Sequence, residues 1–219
     1  MEERKHIVIL AAGDFPTHPV PLKALDEADF VVCCDSAYCQ LVKARSTLPA
    51  DFVVIGDGDS LSKDSRLQLG EKYIQVDEQD YNDLHKAMAW ATAKFTIHNS
   101  KFTILAACGK REDHTLGNIS YQTTFAVEYP GIDLEMLTDY GCFTAFIGRR
   151  AFPSFPRQQV SIFSMTPEEP VSTVGLQWII KNRCLRTWWE GTLNSALSDS
   201  FSVEGGTLVV FQTYEPKEV

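Results

Sequence analysis

Five short apolar runs punctuate the N-terminal half of the chain: Ile7 to Ala11, Phe30 to Cys34, Phe52 to Ile55, Tyr73 to Val76 and Phe102 to Ala107. They are rich in β-branched and aromatic residues and lack polar alternation, the pattern of strands buried on both faces of a parallel sheet. Segments of helical period lie between them. In one, Leu84, Ala87, Met88, Ala91 and Phe95 share a helical face, and Asp80 stands where an N-cap would start the helix. Alternating strand and helix predicts a parallel α/β sheet.

After about Gly131 the texture changes. Ile132 to Leu137, Phe143 to Ile147, Val160 to Ser164, Gln177 to Ile180, Leu185 to Trp189, Phe201 to Val203 and Thr207 to Tyr214 all read as strands, with Pro and Gly between them and no long amphipathic helix. Closely spaced short strands predict a small antiparallel sandwich or barrel. With the boundary near Asp139 to Gly148, the expectation is an α/β domain with a mostly parallel sheet over residues 1–140 and an all-β sandwich over 141–219.

Composition narrows the function. A chain of 219 residues with 44% apolar content can bury a proper core. No apolar run approaches the roughly 20 residues of a membrane helix. Ile7 to Ala12 is too short for a signal-peptide core, so a cytoplasmic location without membrane contact is expected. The six cysteines form no CxxC pair, which disfavours structural zinc and a disulfide framework. A net charge of −9 argues against nucleic acid as partner.

Each of the five N-terminal runs is followed within a few residues by an acid: Asp14, Asp35, Asp57 with Asp59, Asp77 with Asp80, and Asp113. Aspartate is common in loops because it makes local turns. In an open parallel sheet, however, all strand carboxyl ends lie on one edge, where such folds bind ligands, so these acids are expected to converge. Gly56-Asp57-Gly58-Asp59-Ser60 follows a strand directly, and its glycines let two carboxylates turn toward one hard cation such as Mg²⁺; a plain Asp-Gly turn is the structural alternative. Asp80 and Asp83, three apart at a helix start, either cap that helix or supply a third ligand through Asp83.

Gly109-Lys110-Arg111-Glu112-Asp113-His114 lies between a strand and a helix, where Arg111 and backbone N–H groups can bind phosphate oxygens. It is neither a Walker A loop nor a Rossmann fingerprint. His114 taken alone reads as a hydrogen-bonded structural histidine. Carboxylates and phosphates a few ångströms apart repel by several kcal/mol at an effective dielectric of about 20. A divalent cation such as Mg²⁺ between them removes that repulsion, and the pattern as a whole predicts a metal-dependent site for a polyphosphate.

Three blocks, GDGDS, Asp80-Tyr-Asn-Asp83-Leu-His-Lys-Ala87 and Gly109-Lys-Arg-Glu-Asp113-His114-Thr-Leu-Gly-Asn118, resemble in order and spacing the signature blocks of the thiamine pyrophosphokinase family. Val174-Gly-Leu-Gln-Trp178 and Trp189-Glu-Gly-Thr-Leu-Asn194 resemble that family's sandwich-domain motifs, so the likeness spans nearly the whole chain. The resemblance implies a catalytic α/β domain, a β-sandwich that binds thiamine and dimerises, and a homodimer with thiamine between subunits. It implies Mg²⁺ on Asp57, Asp59 and Asp83. Asp35, Asp80, Arg111, Asp113, His114 and Asn118 would surround ATP and the reacting groups, and Asn194 and a nearby aromatic, Trp189, would touch thiamine.

In the implied reaction, the hydroxyl of thiamine attacks the β-phosphorus of ATP and AMP leaves, with Asp113 accepting the proton beside Arg111. A cationic thiazolium suits an aromatic wall. Trp178, Trp188 and Trp189 are the candidates against the alternative of ordinary core packing, and strand alternation puts Trp188 and Trp189 on opposite faces. Some positions depart from the family pattern. Lys110 replaces the second glycine of its block and Gln79 stands where a lysine precedes the acids, which leaves both among the nucleotide-contacting positions. Asn82 replaces a threonine, Cys34-Asp35-Ser36-Ala37 lacks a glycine pair, and Leu193 replaces a serine.

Two other readings compete. Asp57-Gly-Asp59 after a strand also resembles the nucleophile motif of haloacid-dehalogenase-type phosphatases, although Leu61 breaks that pattern and the β-rich C-terminus has no place in it. The second is a thiamine- or nucleotide-binding regulator without chemistry, favoured by Gln79 and Lys110.

Overall fold

A computed structural model describes residues 3–49 and 51–216. The chain divides into two compact units, one built on the residues up to Tyr121 with Gly131–Asp139, the other on Gln122–Pro130 with the residues from Tyr140 onward. No helix among the described residues is long and apolar enough to cross a membrane.

The first unit alternates strand and helix: β1 (Lys5–Leu10), α1 (Pro19–Asp26), β2 (Phe30–Cys34), α2 (Ala37–Ala44), β3 (Phe52–Gly56), α3 (Lys63–Leu69), β4 (Tyr73–Gln75), α4 (Asp83–Lys94), β5 (Ser100–Leu105), α5 (Glu112–Glu128) and β6 (Asp133–Leu137). The second half of α5 belongs to the second unit. The strand order is β6-β5-β1-β2-β3-β4, with every one of these pairings parallel. Ile7, Val8, Ile9 and Leu10 are fully buried, as are Val31, Val32, Val54, Ile55 and Ile104. Burying each such side chain contributes roughly 1.5–3 kcal/mol, which is why uninterrupted apolar runs become central strands. Although a strand-rich texture begins at Ile132, β6 pairs in parallel with β5 and joins the α/β unit.

α4 buries Leu84, Ala87, Met88 and Ala91 on one face. Its N-cap is Asn82, whose side chain accepts the His85 N–H at 2.9 Å, and Asp80 lies outside the helix. The expected cap is therefore two residues early: an asparagine oxygen adjacent to the first turn satisfies the orphan N–H that a carboxylate at position 80 cannot reach.

The second unit consists of antiparallel ladders among β7 (Gly141–Pro153), β8 (Gln158–Ser164), β9 (Pro170–Val174), β10 (Arg183–Cys184), β11 (Asn194–Ser195) and β12 (Ser200–Pro216). β7 and β12 run together for most of their length. Ser202–Glu204 of β12 also pair β9, and Leu208–Gln212 pair β8, with a register shift between Gly205 and Thr207. The bulge lets one strand serve two sets of partners around one core that includes Phe146, Val160, Ile162, Val171, Leu208 and Val210. The two apolar runs separated by Gly205 and Gly206 are thus a single strand.

Two expected strands do not form. Across Gln177 to Ile180 the backbone N–H groups of Trp178 and Ile180 bond to side chains, to Asn194 Oδ1 at 3.1 Å and Thr173 Oγ1 at 2.9 Å. Within Leu185 to Trp189 no strand is present, and Trp188–Gly191 form a 3₁₀ turn capped by Thr187 and Glu190. Strand alternation accordingly says nothing about the faces of Trp188 and Trp189.

Candidate active site

After β1 the chain moves to β2 on one side, and after β5 it moves to β6 on the other. At such a reversal the two outgoing loops diverge and leave a crevice at the carboxyl edge of the sheet. A cavity of about 370 Å³ occupies this point, lined by Gly13, Asp83, Gly109, Lys110, Arg111 and His114 among others. The two loops are tied together beneath it, Gly13 N–H donating to Ala106 O at 2.6 Å and Asp14 N–H to Cys108 O at 2.9 Å.

Three carboxylates meet at the ends of β2 and β3. Oxygens of Asp35, Asp57 and Asp59 lie within 4.8 Å of one another. A Cβ added at Gly56 would stand 2.5 Å from Asp35 Cβ, so glycine at that position lets Asp35 lie against the neighbouring strand. Gly58 has φ +82°, the left-handed turn that brings Asp59 back beside Asp57. Asp35 is 1% exposed; Ser60 N–H donates to its Oδ2 at 3.2 Å, while its buried Oδ1 has no hydrogen-bond partner among the described residues. Burial, with the charges of Asp57 and Asp59, pushes the Asp35 carboxyl above the usual carboxylate range. The Asp59 N–H and the Gln79 amide, which donates to Asp57 Oδ2 at 3.2 Å, hold Asp57 below it. A hard, oxygen-only donor set containing a buried orphan oxygen fits a divalent cation of the Mg²⁺ type.

Asp83 stands outside this trio. Burial pushes its carboxyl up, Lys86 opposes that, and the charges of Asp57, Asp35 and Asp59 add to it. Lys86 is 7% exposed, with Nζ 3.7 Å from Asp83 Oδ1. Sequence reading passes over Lys86, although its spacing of three from Asp83 puts both on one helical face. Asp35, expected among nucleotide contacts, is the acid that completes the cluster.

The convergence is narrower than five loops. Asp77 accepts from Gln75 Nε2 at 2.7 Å, and Asp80 is exposed with its N–H bonded to Glu78. Asp113 closes a two-point fork with Arg111, Nε to Oδ1 at 3.0 Å and Nη2 to Oδ2 at 2.6 Å. That fork holds the Asp113 carboxyl below its usual range. Asn118 donates to Ala107 O at 2.8 Å and accepts from Asn82 at 3.3 Å, so it braces the cleft wall. His114 is exposed on the cleft rim.

The second unit has its own cleft, about 220 Å³, lined by Arg157, Gln177, Trp178, Leu193, Asn194 and Ser195. Trp178 is 56% exposed and Trp189 73%, so neither is core. Trp188, 43% exposed, packs edge-on against Phe163 with ring centroids 5.9 Å apart. Of the three tryptophans, Trp178 lines this cleft and Trp189 does not.

Comparison with known proteins agrees with this geometry. A family model described as the catalytic domain of thiamin pyrophosphokinase matches residues 22–134, and one described as its substrate-binding domain matches residues 141–211. Thiamin pyrophosphokinase 1 of Caenorhabditis elegans is 28% identical over 98 residues, which cover 43% of this chain and 40% of that relative's length. The fold is similar to those of two solved structures. One is thiamin pyrophosphokinase from Candida albicans, with TM-score 0.79 and 15% identity over 96% of this chain and 90% of that one. The other is the Bacillus subtilis enzyme, with TM-score 0.76 and 20% identity over 95% and 99%. Because the catalytic-domain match alone spans more than half of its residues, the chain belongs to the thiamin pyrophosphokinase family.

Proposed function

We propose that this protein is a Mg²⁺-dependent thiamin pyrophosphokinase, which moves a pyrophosphoryl group from ATP to the hydroxyl of thiamine and yields thiamine diphosphate and AMP. The observation that carries the reading is the meeting of Asp35, Asp57 and Asp59 beside the cleft, with Asp35 Oδ1 left without a partner. In this reading residues 1–140 form the catalytic domain, and 141–219 bind thiamine and dimerise. Val174, Trp178, Ile179, Leu193 and Leu197 are exposed apolar residues of the second unit and support burial against a second copy. A cytoplasmic homodimer is part of the proposal.

A divalent cation bound by Asp35, Asp57 and Asp59 would supply charge neutralisation and Lewis acidity toward phosphoryl oxygens. The remaining work is positioning, as in other phosphoryl transfers. The thiamine oxygen bonds to the β-phosphorus, the bond from that phosphorus to the α-phosphate bridging oxygen breaks, and AMP departs. Asp83, which lines the cleft and whose carboxyl burial pushes up, is the acceptor this reading assigns for the hydroxyl proton, in place of the Arg111-bound Asp113. The face of Trp178 offers the thiazolium a cation–π contact.

An assay of AMP release with thiamine, Mg²⁺ and ATP tests the proposal, with thiamine-dependent AMP as the expected result. Tight binding of thiamine and ATP with no AMP would make the protein a regulator, and release of inorganic phosphate in place of AMP would make it a phosphatase.

A further inference from the structure

Two cationic side chains, Lys110 and Arg111, line the cleft, and a third, Lys86, lies on α4 beside the cleft residue Asp83. Lys86 pairs with Asp83 and Arg111 with Asp113. Lys110 has no carboxylate within ion-pair distance among the described residues; its ammonium donates to Ala12 O at 2.6 Å. That bond occupies one of three N–H groups. The same carbonyl also accepts from Gln40 Nε2 at 3.3 Å, so Ala12 O keeps a partner when the ammonium turns away from it.

The backbone at this residue is unusual. Lys110 has φ +54°, in the left-handed region that a residue with a Cβ adopts at a penalty and glycine adopts freely. Strain of this kind persists where the surroundings enforce it and clusters at ligand clamps. Here the strained residue lines the cleft in the loop after β5, and among the described residues its ammonium pairs with no carboxylate. A lysine is also the appropriate cation for the task, being a point charge on a flexible stem that can follow a polyphosphate.

We propose that Lys110 is the cation that grips the polyphosphate of the nucleotide substrate, and that its left-handed backbone is what aims the ammonium across the cleft mouth. This deepens the kinase reading and rests on it. Acids on one side of the substrate require compensating charge on the other, and Lys110 is the side chain free to supply it.

The test is calorimetric titration of ATP with Mg²⁺ into the full chain and into Lys110→Gly, Lys110→Ala and Lys110→Arg, with Tm measured for each. Lys110→Gly is expected to weaken ATP binding by about tenfold or more, the worth of one charged hydrogen bond. The same variant is expected to raise Tm by about 2–4 °C through relief of the strain. Lys110→Ala should lose the same affinity without the rise in Tm, and Lys110→Arg should keep most of it. Unchanged ATP affinity in Lys110→Gly overturns the inference while the kinase reading stands. An unaltered or lowered Tm in that variant overturns the strain argument, and a wild-type chain that binds no ATP in the presence of Mg²⁺ overturns both the inference and the reading beneath it.

Discussion

Asn194 grips the main chain of Trp178 at both of its polar groups: the Trp178 N–H donates to Oδ1 at 3.1 Å, and Nδ2 donates to the Trp178 carbonyl at 2.7 Å. Oδ1 also accepts the Ser195 N–H at 2.9 Å, and Asn194 is 5% exposed. The side chain expected to touch thiamine is therefore engaged in holding the Trp178 backbone. Asn194→Ala leaves buried backbone groups unpaired and should cost about 1–3 kcal/mol of stability. Trp178→Ala should raise the KM for thiamine with little change in kcat, whereas Trp189→Ala should leave both unchanged. Steady-state kinetics on the three variants check this, and an effect confined to Trp189→Ala would reverse the assignment.

Asp57→Asn and Asp59→Asn each remove one of three crowded carboxylates. Turnover should fall by roughly 10²–10³-fold, the scale of losing one preorganised electrostatic contact. Stability without metal should hold or rise, because like-charge repulsion is relieved. The stabilisation that Mg²⁺ gives the wild type in thermal melts should shrink in both variants.

If Asp113 were the general base, Asp113→Asn would cost about 10²–10⁴ in kcat. The closed fork with Arg111 predicts a smaller loss and an unshifted pH profile of kcat. A loss in the full range with the acidic limb of the profile removed would restore Asp113 to that role.

His6 gives a pH signature far from the acids. Burial, then the charge of Lys101, pulls its imidazole below the usual value of 6.5, and Nε2 lies 3.0 Å from Thr103 Oγ1. A depressed folded value means that the unfolded chain binds the proton more readily. Stability is thus fully present above 6.5 and is lost as pH falls through the folded value. Tm should decline on acidification below 6.5, and His6→Gln should flatten that part of the curve.

The parallel sheet is legible in the residues because burial on both faces leaves no polar alternation in runs such as Phe30 to Cys34. The segment around Trp178 and Trp188 misleads for the opposite reason: its aromatics are exposed on loops and a 3₁₀ turn, and nothing in their spacing distinguishes them from strand residues. In the site, Asp57 and Asp59 are visible from their glycines and their place after a strand. Asp35 is visible only as one of several acids expected to converge, and that it is the one beside Asp57 and Asp59 depends on β2 lying beside β3, which is a property of strand order. Arg111-Glu-Asp113 reads as two functional groups, yet the short spacing lets the fork close on itself.

The contact at Gly56 reaches beyond the local turn. Since Asp35 rests on the backbone of the adjoining strand, that carboxylate moves with the sheet interior, where Val32 and Ile55 are fully enclosed. Small fluctuations of the acidic loop can move Asp57 and Asp59, but Asp35 keeps its place unless the strands themselves part. Hydrogen exchange at the amides of these two strands should therefore proceed through the largest openings of the unit, and affinity for the cation should hold on heating until cooperative melting begins.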